Sequence, residues 1–119
     1  MAGGKQCGRE LALMRSLGRC ELCGGSLDGW DGMSVHHRRP RGMGGSKDPR
    51  SNYASNLLIL CGSGTSGCHG LVERNRRDSH RDGLIVSSRC NPAAVPILLN
   101  GIWWMLTDDG ERVPAPDIQ

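Results

Sequence analysis

Four cysteines constrain what this chain can fold into more than any other feature of its sequence. Cys20 and Cys23 form a C-x2-C turn, and after 37 intervening residues Cys61 and Cys68 enclose the segment GSGTSG, which has no bulky side chain. Tetrahedral zinc takes four thiolates from two tight turns, with each sulfur about 2.3 Å from the metal. The spacing therefore predicts a structural zinc site that joins two distant parts of the chain.

The composition explains why such a chain needs a metal. It has 119 residues with no Phe, one Tyr and 18 Gly, so we expect one small domain with a core poor in aromatic side chains. No segment approaches the roughly 20 apolar residues of a membrane span, and the polar start MAGGKQCGRE lacks the apolar core of a signal peptide. We therefore expect an intracellular, reducing setting, where cysteines favour metal over disulfides.

The hydrophobic pattern predicts a small α+β fold, a single domain over 1–119 with its core at about 18–83. GRELALMRSLG predicts an N-terminal helix that ends at Gly18, and DGMSVHH predicts a strand. The apolar run NLLILC is expected to be a buried strand that pairs with the segment around Val35. CHGLVERNRRDSHRDG predicts one further helix, which ends at Gly83.

The last third of the chain has a different pattern, which predicts an extension at about 84–107. LIVSS is expected to be a strand. VPILLNGIWWML predicts a β-hairpin, because Asn100-Gly101 between two apolar runs is a strong turn signal. Residues 108–119 are expected to be a frayed end.

Histidines lie in two segments, one between the two cysteine turns and one directly after the second. His36 and His37 are adjacent at the end of the predicted strand, while His69 follows Cys68 directly at the start of the predicted helix. Glu73 lies on the same helical face as His69, four residues later. The cysteine clamp is expected to bring His36 and His69 together, with Glu73 either a third metal ligand or a solvated helix residue. Three protein ligands with open positions are typical of a catalytic metal site.

Positive charge is concentrated immediately after the paired histidines. Although the formal net charge is only +3, five basic residues lie in one short segment: Arg38, Arg39, Arg41, Lys47 and Arg50. Such a patch suits a polyanion, and contacts from it to phosphates carry little sequence information. The alternative interpretation is a loop whose charges are merely solvated.

The order of these motifs resembles the HNH endonucleases. The chain has C-x2-C, HH, Asn, a second cysteine pair, and CH with a candidate ligand four residues later, from Cys20 to about Gly83. HHRRPRGMGGSKDP and SNLLILCGSGTSGCHGLVE are similar to the small phage-encoded type. This resemblance implies a ββα-metal (His-Me finger) core with a four-cysteine structural zinc site, to which the N-terminal helix and the C-terminal β-hairpin are added.

The resemblance also implies roles for individual residues. His37 corresponds to the general base, and Asn56 to the residue that fixes the hairpin or loop which orients that base. His36 and His69 correspond to ligands of one catalytic divalent metal, which could be Mg2+, Mn2+, Ni2+ or Zn2+. The family often has a second histidine where this chain has Glu73, so the third ligand and the preferred metal stay open.

The function implied by this resemblance is metal-dependent cleavage of DNA, either nicking or double-strand cleavage. It further implies a role in phage DNA processing or packaging, with the terminase large subunit as a partner, in the cytoplasm of an infected bacterium. The oligomeric state stays open. The alternative is a non-catalytic zinc-binding module that binds nucleic acid or a partner protein. Such a module needs the cysteines and arginines, but not His37, Asn56 and His69 together.

Overall fold

The structure, a computed structural model, describes residues 7–28, 32–40 and 49–116. The described helices and strands follow one another as α1 (Gly8–Ser16), β1 (Met33–His37), β2 (Leu57–Cys61), α2 (Gly67–Arg74), α3 (Arg76–Arg81), β3 (Ile97–Leu99), β4 (Ile102–Leu106) and β5 (Arg112–Pro114). The five strands form two small antiparallel sheets, β1-β2 and β3-β4-β5. The predicted α+β class is confirmed, and none of the described helices is long and apolar enough to cross a membrane.

Strand β2 is apolar throughout because a helix covers each of its faces. Leu58 and Leu60 pack in a cluster with Val72 of α2, whereas Leu57 and Ile59 pack in a second cluster with Ala12 of α1. The predicted pairing with β1 is confirmed, and it places Val35 opposite Ile59 and His36 opposite Leu58. β2 therefore forms the centre of the fold and fixes the position of β1, which carries His36 and His37.

A buried ion pair attaches α1 to the first cysteine turn. The guanidinium of Arg15 donates to both carboxylate oxygens of Glu21, at 2.7 and 2.8 Å, and both side chains are almost fully buried. Arg15 also donates to the carbonyls of Ala54 and Leu57, and Glu21 accepts from the Ile59 N–H at 3.0 Å. Because each charge has several hydrogen-bond partners, the pair links α1, the cysteine turn and β2 without an unsatisfied polar group.

The helix predicted from Cys68 onwards divides in two at Asn75. This residue leaves the helical conformation at φ −116° and ψ 56°, and its side-chain amide donates to the Leu71 carbonyl at 2.9 Å. An asparagine inside a helix can compete in this way for a backbone carbonyl. The predicted end at Gly83 is confirmed: its φ is +76°, and an added Cβ would lie 2.0 Å from the Pro96 carbonyl oxygen.

Two expectations for the last third of the chain are wrong. LIVSS is buried at Leu84, Ile85 and Val86 but is not a strand, because its N–H groups donate to the carbonyls of Ser79 and Arg38 instead of a strand partner. The segment expected to be frayed contains β5, which pairs with β4; only 117–119 lie outside the described residues.

The predicted C-terminal hairpin is confirmed. Asn100 and Gly101 both have positive φ, 51° and 83°, as a two-residue turn of type I′ requires. In the same sheet, the guanidinium of Arg112 on β5 lies 4.5 Å from the ring centroid of Trp104 on β4. This cation–π contact joins the third strand to the hairpin.

Candidate metal sites and the paired histidines

The four predicted cysteine ligands converge. The sulfurs of Cys20, Cys23, Cys61 and Cys68 lie within 4.8 Å of one another. Cys23 Sγ and Cys61 Sγ are 4.0 Å apart, far longer than the roughly 2.05 Å of a disulfide bond. This Sγ–Sγ distance is instead close to the separation of about 3.8 Å between two sulfurs that bind one zinc ion tetrahedrally with Zn–S bonds of about 2.3 Å. The cluster is therefore compatible with a structural metal such as zinc.

The backbone around these sulfurs is arranged to stabilise thiolates. The N–H groups of Cys23, Gly25 and Cys68 point at sulfurs of the cluster, at 3.4 to 3.5 Å. Without a cation, burial and the hydrogen bonds of Cys61 and Cys23 raise the pKa of the Cys68 thiol well above its usual value. Four adjacent thiolates repel one another, so a bound cation is what allows them all to ionise.

A second group of ligand atoms lies beside α2. The structure brings His36 of β1 together with His69 and Glu73 of α2, their ligand atoms within 4.8 Å of one another. The two imidazole rings meet edge to face with centroids 5.1 Å apart. Glu73 is partly exposed and also accepts a 3.3 Å hydrogen bond from Arg76. This carboxylate can therefore be shared between a cation and an arginine.

The hydrogen bond to His36 fixes which of its nitrogens is free. His36 is 3% exposed, and its Nε2 lies 2.8 Å from the Leu84 carbonyl oxygen. Since a carbonyl can only accept, Nε2 carries the hydrogen and Nδ1 keeps a lone pair. Burial lowers the pKa of His36 to about 4, against the opposing effect of this hydrogen bond. The ring is therefore neutral at pH 7, which is the form that binds metals.

His69 has a comparable partner on the neighbouring strand. Its Nδ1 lies 2.6 Å from Ser34 Oγ. A hydroxyl can donate or accept, and Nε2 keeps its lone pair in the tautomer in which Ser34 accepts. Burial lowers the pKa of His69, whereas the carboxylate of Glu73 raises it and the charge of His37 lowers it. Sequence reasoning missed Ser34, although its position two residues before His36 placed both on one face of a strand.

His37 is the last residue of β1 and is half-buried. A positive charge on His37 lowers the pKa of both His36 and His69, so the three imidazoles interact electrostatically. Its Nε2 lies 3.1 Å from Oδ1 of Asn52. Nothing in the sequence pointed to Asn52, which is separated from His37 by a basic segment.

Asn56 is fully buried and ties together the two ends of that basic segment. Its Oδ1 accepts from the Arg39 N–H at 2.7 Å, and its Nδ2 donates to the Ser51 carbonyl at 2.9 Å. Such bonds suit a residue that fixes a loop. Its part in orienting a base stays a prediction.

The expectation that Arg38 contacts DNA is contradicted by its burial. Arg38 is 0% exposed. Its guanidinium donates to four backbone carbonyls, those of Ser55, Gly83, Pro92 and Val95, at 2.9 to 3.0 Å. Burial lowers its pKa to about 9, so it stays charged at pH 7. These bonds hold the chain beyond Gly83 against the segment that follows His37, and the buried guanidinium cannot reach a phosphate.

Of the other four basic residues of the predicted DNA-binding segment, the structure describes two. Arg39 is half-buried and its guanidinium donates to the Cys90 carbonyl at 3.3 Å, whereas Arg50 is exposed. Arg41 and Lys47 lie outside the described residues.

Comparison of the chain with models of protein families, with curated proteins and with solved structures gave no match.

Proposed function

We propose that this chain is a metal-dependent DNA endonuclease of the HNH type, which hydrolyses phosphodiester bonds. The observation that carries the proposal is the convergence of the ligand atoms of His36, His69 and Glu73, with His37 the next residue of the chain after His36. The order β1, β2, α2 and the cysteine cluster that fastens these elements support a ββα-metal core around these ligand atoms. A pair of neutral histidines with one free nitrogen each is a suitable donor set for a divalent metal.

Each ligand histidine has a distinct means of orientation. His36 donates its Nε2 hydrogen to the Leu84 carbonyl and presents Nδ1. To His69 we assign the tautomer that donates from Nδ1 to Ser34 Oγ, 2.6 Å away, and so presents Nε2. Glu73 supplies a carboxylate as third ligand. When bound, a divalent ion such as Mg2+, Mn2+, Ni2+ or Zn2+ supplies Lewis acidity at the phosphate and at the leaving 3′ oxygen.

Hydrolysis also needs a proton acceptor for the attacking water, and we assign that role to His37. A neutral imidazole takes a proton from water near neutral pH and is the commonest general base in enzymes. Arg39 and Arg50, together with Arg41 and Lys47, are proposed to hold phosphates on either side of the cleaved bond, which would give affinity with little sequence preference. Arg38 has no part in this contact.

The cysteine cluster is proposed to hold structural zinc. We further propose, from the resemblance of the motifs to the phage HNH group, that the enzyme acts in processing or packaging of phage DNA beside the terminase large subunit. One such site per chain cuts one strand, so nicking is the proposed outcome for a monomer, and double-strand cleavage needs two copies.

The test is a supercoiled-plasmid assay with EDTA and with each of the four metals. His37→Ala is expected to lose nicking by about 100-fold or more, on the order of what a general base contributes. His69→Ala is expected to lose nicking because it removes a ligand of the catalytic metal. His80→Ala is the matched control, because His80 is an exposed histidine on α3 outside both clusters. Equal cleavage by the wild type and His37→Ala would refute the proposal. Plasmid binding without cleavage in any metal would favour a non-catalytic zinc-binding module.

A further inference from the structure

We propose that Asn52 is a positioning residue, which holds the His37 ring with its hydrogen on Nε2 and so presents Nδ1 as the atom that accepts the proton from water. The inference rests on the proposed role of His37 in hydrolysis. It adds to that role the identity of the basic atom and the side chain that selects it.

The contact between the two side chains determines the direction of the hydrogen bond. His37 Nε2 lies 3.1 Å from Asn52 Oδ1. A side-chain carbonyl oxygen accepts hydrogen bonds and cannot donate them, so the ring nitrogen is the donor. A neutral imidazole carries only one N–H, which leaves the lone pair on Nδ1. Rotation of the ring would break this bond, so the same contact also holds the plane of the ring.

Asn52 can hold the ring because its own backbone is fixed on both sides. It ends the short 3-10 turn Pro49–Asn52, in which the Tyr53 N–H donates to the Arg50 carbonyl at 3.1 Å. On its other side α1 approaches so closely that a Cβ added at Gly8 would lie 1.8 Å from the Asn52 carbonyl oxygen. The exposed side chain therefore projects from an anchored backbone, which is what a positioning group needs.

Asn52 also provides a route by which the buried Asn56 can influence the base. Asn56 holds the Ser51 carbonyl at 2.9 Å, directly before Asn52, and the Arg39 N–H at 2.7 Å, two residues after His37. Among the described residues, its side chain bonds to Arg39 and Ser51 and not to the His37 ring. The two asparagines therefore act in series: Asn56 fixes the frame, and Asn52 makes the contact with the ring.

An exposed hydrogen bond of this kind would add little to stability, so a purely structural role and a positioning role predict different results. If the bond is incidental, removing it leaves the His37 ring unchanged. If it positions the ring, its loss frees the ring to rotate and to exchange tautomers. The discriminating measurement is therefore made on the His37 ring and needs neither DNA nor turnover.

The experiment is NMR of the imidazole nitrogens and carbons of His37 in the full-length protein at mildly alkaline pH. The wild type is expected to show a single Nε2–H tautomer and a rigid ring. Asn52→Ala is expected to show the mixed tautomers and fast ring motion of a solvated histidine, together with a 10- to 100-fold lower kcat at an unchanged KM. Asn52→Asp keeps an acceptor oxygen at the same position and is expected to restore the single tautomer and the rigid ring.

Asn100→Gly is the matched control, since it removes an exposed asparagine in the β3–β4 turn where glycine suits the positive φ. An unchanged tautomer and unchanged ring motion in Asn52→Ala would overturn the inference, even if activity fell. A wild type that cleaves no plasmid would instead overturn the proposed function, while the NMR comparison would still report whether Asn52 holds the ring.

Discussion

The clearest quantitative prediction concerns Arg38, the buried arginine beside the paired histidines. Its four hydrogen bonds join carbonyls from the 3-10 turn before β2, the end of α3 and the segment that leads to β3. Arg38→Lys keeps the positive charge but replaces the planar fork with a single ammonium. That group has three donors and cannot reach four carbonyls arranged around a guanidinium.

The expected loss follows from the bonds that lysine cannot make. Each hydrogen bond from a charged donor contributes about 1.5 to 3 kcal/mol, and a buried carbonyl left without a partner costs about 1 to 3 kcal/mol. With one or two bonds lost and some relaxation, Arg38→Lys should lower the free energy of unfolding by about 3 kcal/mol. For a chain of this length that corresponds to a fall in Tm of about 12 °C. Arg38→Met removes all four bonds, although the Pro92 carbonyl keeps the Val95 N–H, and should cost about 5 kcal/mol.

Thermal and urea unfolding, followed by circular dichroism with zinc held constant, measure this loss. Arg39→Lys is the matched control, because Arg39 is the adjacent arginine and is only half-buried; its Tm should change by less than about 2 °C. The reasoning is refuted if Arg38→Lys melts with the wild type. It is also refuted if the chief effect of that change is a weaker salt dependence of DNA binding, as a phosphate contact would give.

Two further predictions follow from the metal ligands. Cys23→Ser should release the metal of the cysteine cluster and lower Tm, whereas Cys90→Ser, at an exposed cysteine outside the cluster, should not; equal zinc content in both variants, measured by elemental analysis, would exclude the site. For His36, burial lowers the pKa from 6.5 to about 4, so the unfolded chain takes up this proton first. Without added divalent metal, His36 should therefore contribute a fall of about 3 kcal/mol in the free energy of unfolding between pH 6.5 and 4, and this contribution should level off below. His36→Gln should flatten that part of the stability curve measured in urea.

Much of the local structure could be predicted from the sequence, because the signals for it lie in a few neighbouring residues. The apolar run of β2, the left-handed residues at Asn100 and Gly101, and the end of the helical segment at Gly83 each depend on a few neighbouring residues. The end of α1 belongs to the same class, with Leu17 and Gly18 both at positive φ. Where the pattern misled, as in LIVSS, the residues were buried as predicted but their N–H groups found partners other than a strand.

The candidate sites were predictable to the extent that spacing determines them. Cysteine pairs on two turns can reach one metal, and a histidine four residues before a glutamate shares its helix face. These rules depend on fixed geometry, so they predicted the cysteine cluster and the proximity of His69 to Glu73, but they left open whether Glu73 joins His36 as a ligand. The spacing could not say that Glu73 is shared with Arg76, because that depends on side-chain conformation.

What only the tertiary structure decided is how polar groups distant in sequence satisfy one another. In the sequence Arg38 cannot be distinguished from the basic residues that follow it, and its burial depends on four carbonyls contributed by segments 17 to 57 residues away. The same holds for the Leu84 carbonyl at His36 and for Asn52 at His37. A buried donor or acceptor must find a partner, but which partner it finds depends on how the chain packs. The sequence by itself determined which side chains could bind a metal, and the packing of the chain decided which of their atoms are free to do so.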